Sequence, residues 1–101
     1  MTKVIELEEI RTLLKEVDVV AAMEDGFKEY SNGNTVVPPV GELLFENPPG
    51  DVHIKYGYVK NDDFYVIKIA SGFYENKKIG LPSSQGVMLL FNQKTGQTVA
   101  V

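Results

Sequence analysis

The 101-residue sequence contains no cysteine and a single histidine, His53. Disulfide scaffolds and thiolate metal sites are therefore excluded, and a metal site made of several histidines of this chain is excluded as well. No apolar run approaches the roughly 18 residues needed to span a membrane, and the N-terminus is too charged for a signal peptide. These absences predict a cytoplasmic protein with no bound metal and no membrane partner.

The sequence also lacks a basic stripe and a glycine-rich nucleotide fingerprint. Its net charge is −4, with acids and bases mixed along the chain, which argues against a nucleic-acid partner. Because no G-x-G-x-x-G motif is present, dinucleotide binding is not indicated by the chain's own residues. With 44% hydrophobic and 24% charged residues, the composition is typical of one small folded domain.

Two amphipathic helices are predicted near the N-terminus, after a short candidate strand at residues 3–7. Apolar residues at helical spacing between positions 10 and 17 indicate the first helix. Asp18 is the predicted N-cap of the second helix, and Gly33 is predicted to end that helix in a left-handed conformation.

The rest of the chain predicts an antiparallel meander. Residues 52–59 and 64–71 alternate in polarity and are joined by a polar turn, so they should pair as a hairpin. Residues 47–51 have the composition of a turn, and the apolar run 86–91 predicts a strand that is buried on both faces. The predicted fold class is α+β, with two N-terminal helices packed on a mainly antiparallel sheet of five to six strands.

Lys68 is a lone cation on an otherwise apolar strand face. An ammonium group in such a place is unfavourable unless an anion or water receives it. The loop after this strand carries glycines, a proline, Ser83 and Ser84, and so offers backbone donors and hydroxyl groups to a ligand. Tyrosines 56, 58, 65 and 74 have no basic groove beside them and are assigned to the core or to an interface.

Two apolar segments, residues 86–91 and 98–101, leave more strand surface than so short a chain can hide. Symmetric pairing of two sheets would cover this surface, which predicts a homodimer. The last strand reaches the C-terminus without a turn, so we expect residues 1–101 to be the N-terminal piece of a longer polypeptide.

Several short segments follow one another in a characteristic order. They are Ala22-Met23-Glu24 with Phe27 and Tyr30, Val37-Pro38-Pro39, Lys68, Gly80-Leu81-Pro82-Ser83, and Leu89-Leu90-Phe91 before Thr95-Gly96. Together they resemble the N-terminal region of the ornithine cyclodeaminase and mu-crystallin family. The resemblance covers essentially all of the chain. It implies that residues 1–101 form a substrate-binding and dimerisation domain, and that a Rossmann domain binding NAD or NADP follows in the parent protein.

The resemblance also implies a reaction. Family enzymes move a hydride from the Cα of an amino acid to the nicotinamide and so form an imine. In the cyclodeaminase, ornithine then cyclises, loses ammonia and becomes proline, whereas relatives act as amino-acid dehydrogenases or ketimine reductases. The chain alone would bind no nucleotide and be inactive, because the site of the hydride acceptor, with its glycine-rich nucleotide loop, and the acidic catalytic residue would lie beyond Val101. The alternative is a non-enzymatic small-ligand-binding or dimerisation module with the same fold.

By the same resemblance, Lys68 matches a lysine that contacts the substrate carboxylate. Ser83, with Ser84 next to it, matches a loop beside the nicotinamide and the substrate. His53 and Lys55 replace a glutamate and a methionine of the cyclodeaminase pattern, so they would suit an acidic or polar substrate side chain.

Val40 stands where the family has an arginine. An arginine fork is a strong clamp for a carboxylate, so its absence argues against ornithine as the substrate. Glu42, two residues later, would recognise the substrate amine. Each candidate also has a simpler interpretation: a lysine stem covering a strand for Lys68, a turn for Ser83 and Ser84, a solvated face for His53 and Lys55, and an edge charge for Glu42.

Overall fold

The computed structural model describes residues 1–101 as two helices followed by a six-stranded antiparallel sheet. The predicted α+β fold class is therefore confirmed. The elements are α1 (Leu7–Leu14), α2 (Val19–Ser31), β1 (Thr35–Val36), β2 (Gly41–Glu46), β3 (Pro49–Val59), β4 (Phe64–Phe73), β5 (Ser84–Asn92) and β6 (Thr98–Ala100), with a short 3-10 turn at Asn76–Ile79.

The second helix begins and ends where the sequence predicts. The Asp18 side chain accepts a hydrogen bond from the Ala21 N–H at 3.0 Å, which pairs one of the free N–H groups of the first turn. Gly33, with φ of 73°, follows the helix in the left-handed region. The predicted strand at 3–7 is shorter than expected, because Leu7 joins α1. Residues 3–5 run parallel to the end of the chain: Lys3 bridges Ala100, and the N–H groups of Lys3 and Ile5 donate to the carbonyls of Val99 and Val101.

Strand β3 is the longest strand of the sheet and pairs with three others. It pairs with β4 from Gly50↔Phe73 to Tyr58↔Tyr65, so the predicted hairpin is confirmed. On its other edge β3 pairs first with β2 and then with β1. Residues 37–40 connect these two short strands and lie outside the ladder. Pro38 and Pro39 have no N–H to donate, which prevents the pairing from continuing there.

The register separates the side chains of the sheet into two faces, because neighbouring residues of a strand point to opposite sides. On the apolar face, Tyr65 stacks on Phe91 with ring centroids 4.8 Å apart, and Phe45 contacts Phe73 at 5.6 Å. The other residues of the apolar face include Leu43, Val52, Ile54, Tyr56, Ile67, Ile69, Val87 and Leu89. The polar face includes Glu42, Asp51, His53, Lys55, Lys68, Ala70, Gly72 and Ser84.

Neither face of this sheet is covered within the chain. Gly50 is the only buried residue, and Phe27 on the apolar stripe of α2 is 71% exposed. In β5, Val87 is 39% and Met88 is 58% exposed, so the prediction that 86–91 is buried on both faces is wrong for this chain. Neighbouring strands cover the edges of β5 but not its faces. Neither helix has the length and apolar character needed to cross a membrane.

Candidate functional site

The polar face of the sheet contains an open depression of about 540 Å³. Strands β3 and β4 form its floor, and the start of β2 forms one wall. Because Glu42 is paired with His53, and Lys55 with Lys68, these side chains share one face. Four of the five residues predicted to bind substrate are thus brought together, although their roles stay predictions. The lining residues are Val40, Glu42, His53, Lys55, Lys68 and Ala70.

The imidazole of His53 lies between two carboxylates. Its Nε2 is 2.8 Å from Glu42 Oε2, and its Nδ1 is 4.0 Å from Asp51 Oδ1. The short contact orients the ring across β2 and β3 and leaves the remaining lone pairs of Glu42 open to a further donor. A ligand amine would therefore meet Glu42 as a carboxylate that is already held in place.

Two ammonium groups occupy the other side of the depression. Lys55 of β3 is directly opposite Lys68 of β4. Both residues are exposed, and neither forms any of the chain's ion pairs. Val40, at the position where the sequence resemblance implies an arginine, adds an apolar wall. This arrangement offers two flexible point charges in place of a planar fork.

A second depression of about 330 Å³ adjoins the first and shares His53 and Ala70 with it. Ser83 and Ser84 line it. The Phe73 N–H donates to the Ser83 carbonyl at 2.8 Å, which fixes the end of the loop between β4 and β5. The structure thus places Ser83 and Ser84 in a depression next to the one that holds the other four residues predicted to bind substrate.

The chain's helix N-termini do not fit the pyrophosphate of a dinucleotide. At α1, Glu8 and Glu9 lie in the first turn, and at α2 the Asp18 carboxylate already accepts from the Ala21 N–H. A phosphate would therefore meet negative charge at the N-terminus of each helix. Helices that bind anions offer free N–H groups at this position.

Sequence reasoning missed Asp51 and Tyr74. The Tyr74 hydroxyl donates to Asp51 Oδ2 at 2.8 Å, and a Cβ at Gly72 would lie only 3.1 Å from Asp51 Oδ1, so a glycine there leaves room for the carboxylate. Asp51 belongs to β3 and not to a turn. The alternation that includes His53 extends back to it and could have identified it. Tyr74 is exposed, and no local signal indicated its partner.

The hydrogen bond from Tyr74 to Asp51 and the negative charge of that carboxylate raise the pKa of Tyr74 above its ordinary value of 10.0, and desolvation adds to the shift. The bond exists while Tyr74 is protonated. Its contribution to stability is therefore present below pH about 10 and is lost as the pH rises through the higher pKa of the folded protein. In an alkaline titration followed by tyrosinate absorbance, we expect one tyrosine to ionise at a higher pH than the others, and Tyr74→Phe should remove this late component.

Asp51→Asn should move this component to lower pH, because the negative charge is removed. Tyr30→Phe, on α2, is the matched control and should leave the late component in place. A titration that is unchanged in Asp51→Asn would contradict the assigned cause.

Comparison with known proteins identifies the family. The sequence model of the ornithine cyclodeaminase/mu-crystallin family matches residues 1–101. A protein of Rhizobium meliloti (strain 1021) named as a dehydrogenase is 39% identical over 84 residues, which cover 83% of this chain and 26% of the relative.

Two solved structures share the fold. The Δ1-pyrroline-2-carboxylate reductase of Thermococcus litoralis, in complex with NADH and L-proline, is 31% identical with a TM-score of 0.77 over 82% of this chain and 26% of that protein. An archaeal alanine dehydrogenase dimer with bound NAD is 26% identical with a TM-score of 0.84 over 98% of this chain and 30% of that protein. The chain spans only 26–30% of the length of these three proteins. Because the family model matches the whole chain, the chain belongs to the ornithine cyclodeaminase/mu-crystallin family.

Proposed function

We propose that residues 1–101 are the N-terminal, amino-acid-binding part of an NAD(P)-dependent enzyme that acts on an α-amino group. The reaction would oxidise the amine to an imine, and a cyclodeaminase-type member would then release ammonia. Family membership supports this proposal. Two structural neighbours support it as well: one is bound to NADH and L-proline, and the other is bound to NAD.

The observation that carries the proposal is the presence of both charge signs in one depression. An α-amino acid at neutral pH presents a carboxylate and an ammonium group. Lys68 would bind the carboxylate, and Glu42, held by His53 at 2.8 Å, would receive the amine. The volume of about 540 Å³ lies within the range of about 300–1,000 Å³ that is common for small-molecule sites.

The dinucleotide would be held mainly by residues outside this chain. When bound, its nicotinamide would accept the hydride from the amino-acid Cα. Within the chain, Ser83 and Ser84 would contact the ring side of that ligand, while Lys68 and Glu42 orient the substrate beside it. This division would explain why the chain carries a polar depression but no phosphate-binding turn.

We further propose that the parent protein is a homodimer that buries the apolar face. That face leaves Leu43, Phe45 and Val87 exposed in the single chain, and monomeric proteins rarely leave contiguous apolar patches of large area uncovered. One structural neighbour is described as a dimer. The cytoplasmic location stays a prediction from the sequence.

The proposal is tested by incubating the full-length protein with a panel of L-amino acids and NAD+ or NADP+, and with cyclic imino acids and the reduced dinucleotides. We expect at least one pair to change the nicotinamide absorbance. Calorimetric binding of amino acids without any turnover would favour the binding-module alternative. Absence of both binding and turnover would reject the enzyme and the ligand-binding module alike, and would leave the dimerisation module.

A further inference from the structure

On the polar face, two positively charged residues lie directly opposite each other: Lys55 of β3 is paired with Lys68 of β4. Like charges directly opposite each other on neighbouring strands are destabilising. Neither ammonium group has a carboxylate of this chain within 4.0 Å. Glu42, the acidic residue of the depression, hydrogen-bonds to His53 instead. No acidic side chain of the chain therefore forms an ion pair with either lysine, and Asp51, in the adjoining depression, accepts a hydrogen bond from Tyr74.

The charges of the depression do not match a simple amino acid. Two ammonium groups and one carboxylate line the depression, so the charged side chains of its lining leave at least one positive charge in excess. A zwitterion with an uncharged side chain has no net charge, so its binding would leave Lys55 unneutralised. This excess is notable because the whole chain carries a net charge of −4.

We propose that the substrate carries a second carboxylate, as in an acidic amino acid or a dicarboxylic imino acid. This inference rests on the proposed function, in which Lys68 binds the α-carboxylate. Lys55 then binds the second carboxylate and is the residue that determines specificity. Lysine suits this role because its flexible stem lets the two ammonium groups diverge to reach anions at different distances.

The same placement explains why an arginine is dispensable at position 40. With two lysines facing each other, a dicarboxylate receives one ammonium group per carboxylate. Val40 lines the wall beside them and would contact the methylene groups between the two acids. The depression therefore offers charged ends with an apolar wall, which matches the chemistry of a short dicarboxylic chain.

The test compares kcat/KM of the full-length protein for L-glutamate and L-norvaline, which differ by a carboxylate in place of a methyl group, and likewise for L-aspartate and L-2-aminobutyrate. We expect the wild-type protein to prefer the dicarboxylic member of a pair. Lys55→Met, which keeps an unbranched stem, should reduce the ratio of the two kcat/KM values by about 10- to 100-fold, the usual worth of a charge-assisted hydrogen bond. Lys94→Met, in the turn after β5, is the matched control and should leave the ratio unchanged.

The outcomes separate this inference from the function on which it rests. Turnover of monocarboxylic amino acids without a dicarboxylate preference overturns the inference and leaves the proposed function standing. A preference that Lys55→Met does not reduce also overturns the role of Lys55. If neither class is turned over or bound in calorimetry, both proposals fail.

Discussion

Replacing Lys68 by alanine is expected to lower kcat/KM of the full-length protein for its amino-acid substrate by about 10- to 100-fold, since a charge-assisted hydrogen bond to the carboxylate would be lost. Lys68 is exposed on the polar face and forms none of the chain's ion pairs. The substitution removes a long stem but no buried contact, so thermal unfolding should change little.

Steady-state kinetics and a melting curve are the two measurements required. Lys94→Ala is the matched control, because it removes a lysine side chain from the turn after β5, away from the depression. An unchanged kcat/KM in Lys68→Ala would support the simpler interpretation, in which the lysine stem only covers the strand. A loss of activity together with a collapsed melting curve would indicate a structural role.

Introducing a charge on the apolar face should strongly weaken the proposed homodimer. Ile67 lies in the middle of that face, between Tyr56 of β3 and Leu89 of β5. In the proposed homodimer, Ile67→Asp would bury an unpaired carboxylate in each protomer. We expect the dimer dissociation constant to rise by about 100-fold or more, as measured by analytical ultracentrifugation of the full-length protein.

Two further variants show whether such a loss reflects the interface or the fold. Ile67→Val keeps the face apolar and should leave the dimer intact. Val87→Asp changes a residue that is already 39% exposed in the single chain, so the protomer should tolerate the charge while the dimer does not. A dimer that withstands both aspartates would show that the apolar face is not the dimer interface.

Local rules were sufficient for part of this fold. Asp18 could be recognised as a cap because its side chain bonds to an N–H only three residues away. The β3–β4 hairpin followed from alternation on both sides of a polar turn, and its register then placed Lys55 opposite Lys68. Much of the candidate site was therefore predictable, since period-two alternation assigns side chains to faces.

Features that depend on distant or absent groups were not predictable. Tyr74 and Asp51 are 23 residues apart, and no sequence spacing indicates that the loop after β4 returns to the start of β3. The apolar run 86–91 suggested a strand buried on both faces. Composition records how apolar a strand is, but whether other elements cover its faces depends on the assembly.

The break in the sheet edge at residues 37–40 has an evolutionary consequence. This segment lies between the pairs Val36↔Tyr58 and Gly41↔Ile54, so ladder hydrogen bonds do not hold its residues in register. Val40 nevertheless lines the depression. Mutations in a connecting segment are generally better tolerated than mutations in the strands it joins. In the proposed enzyme, substrate preference can therefore drift through this short segment, while selection for stability acts mainly on the strands beside it.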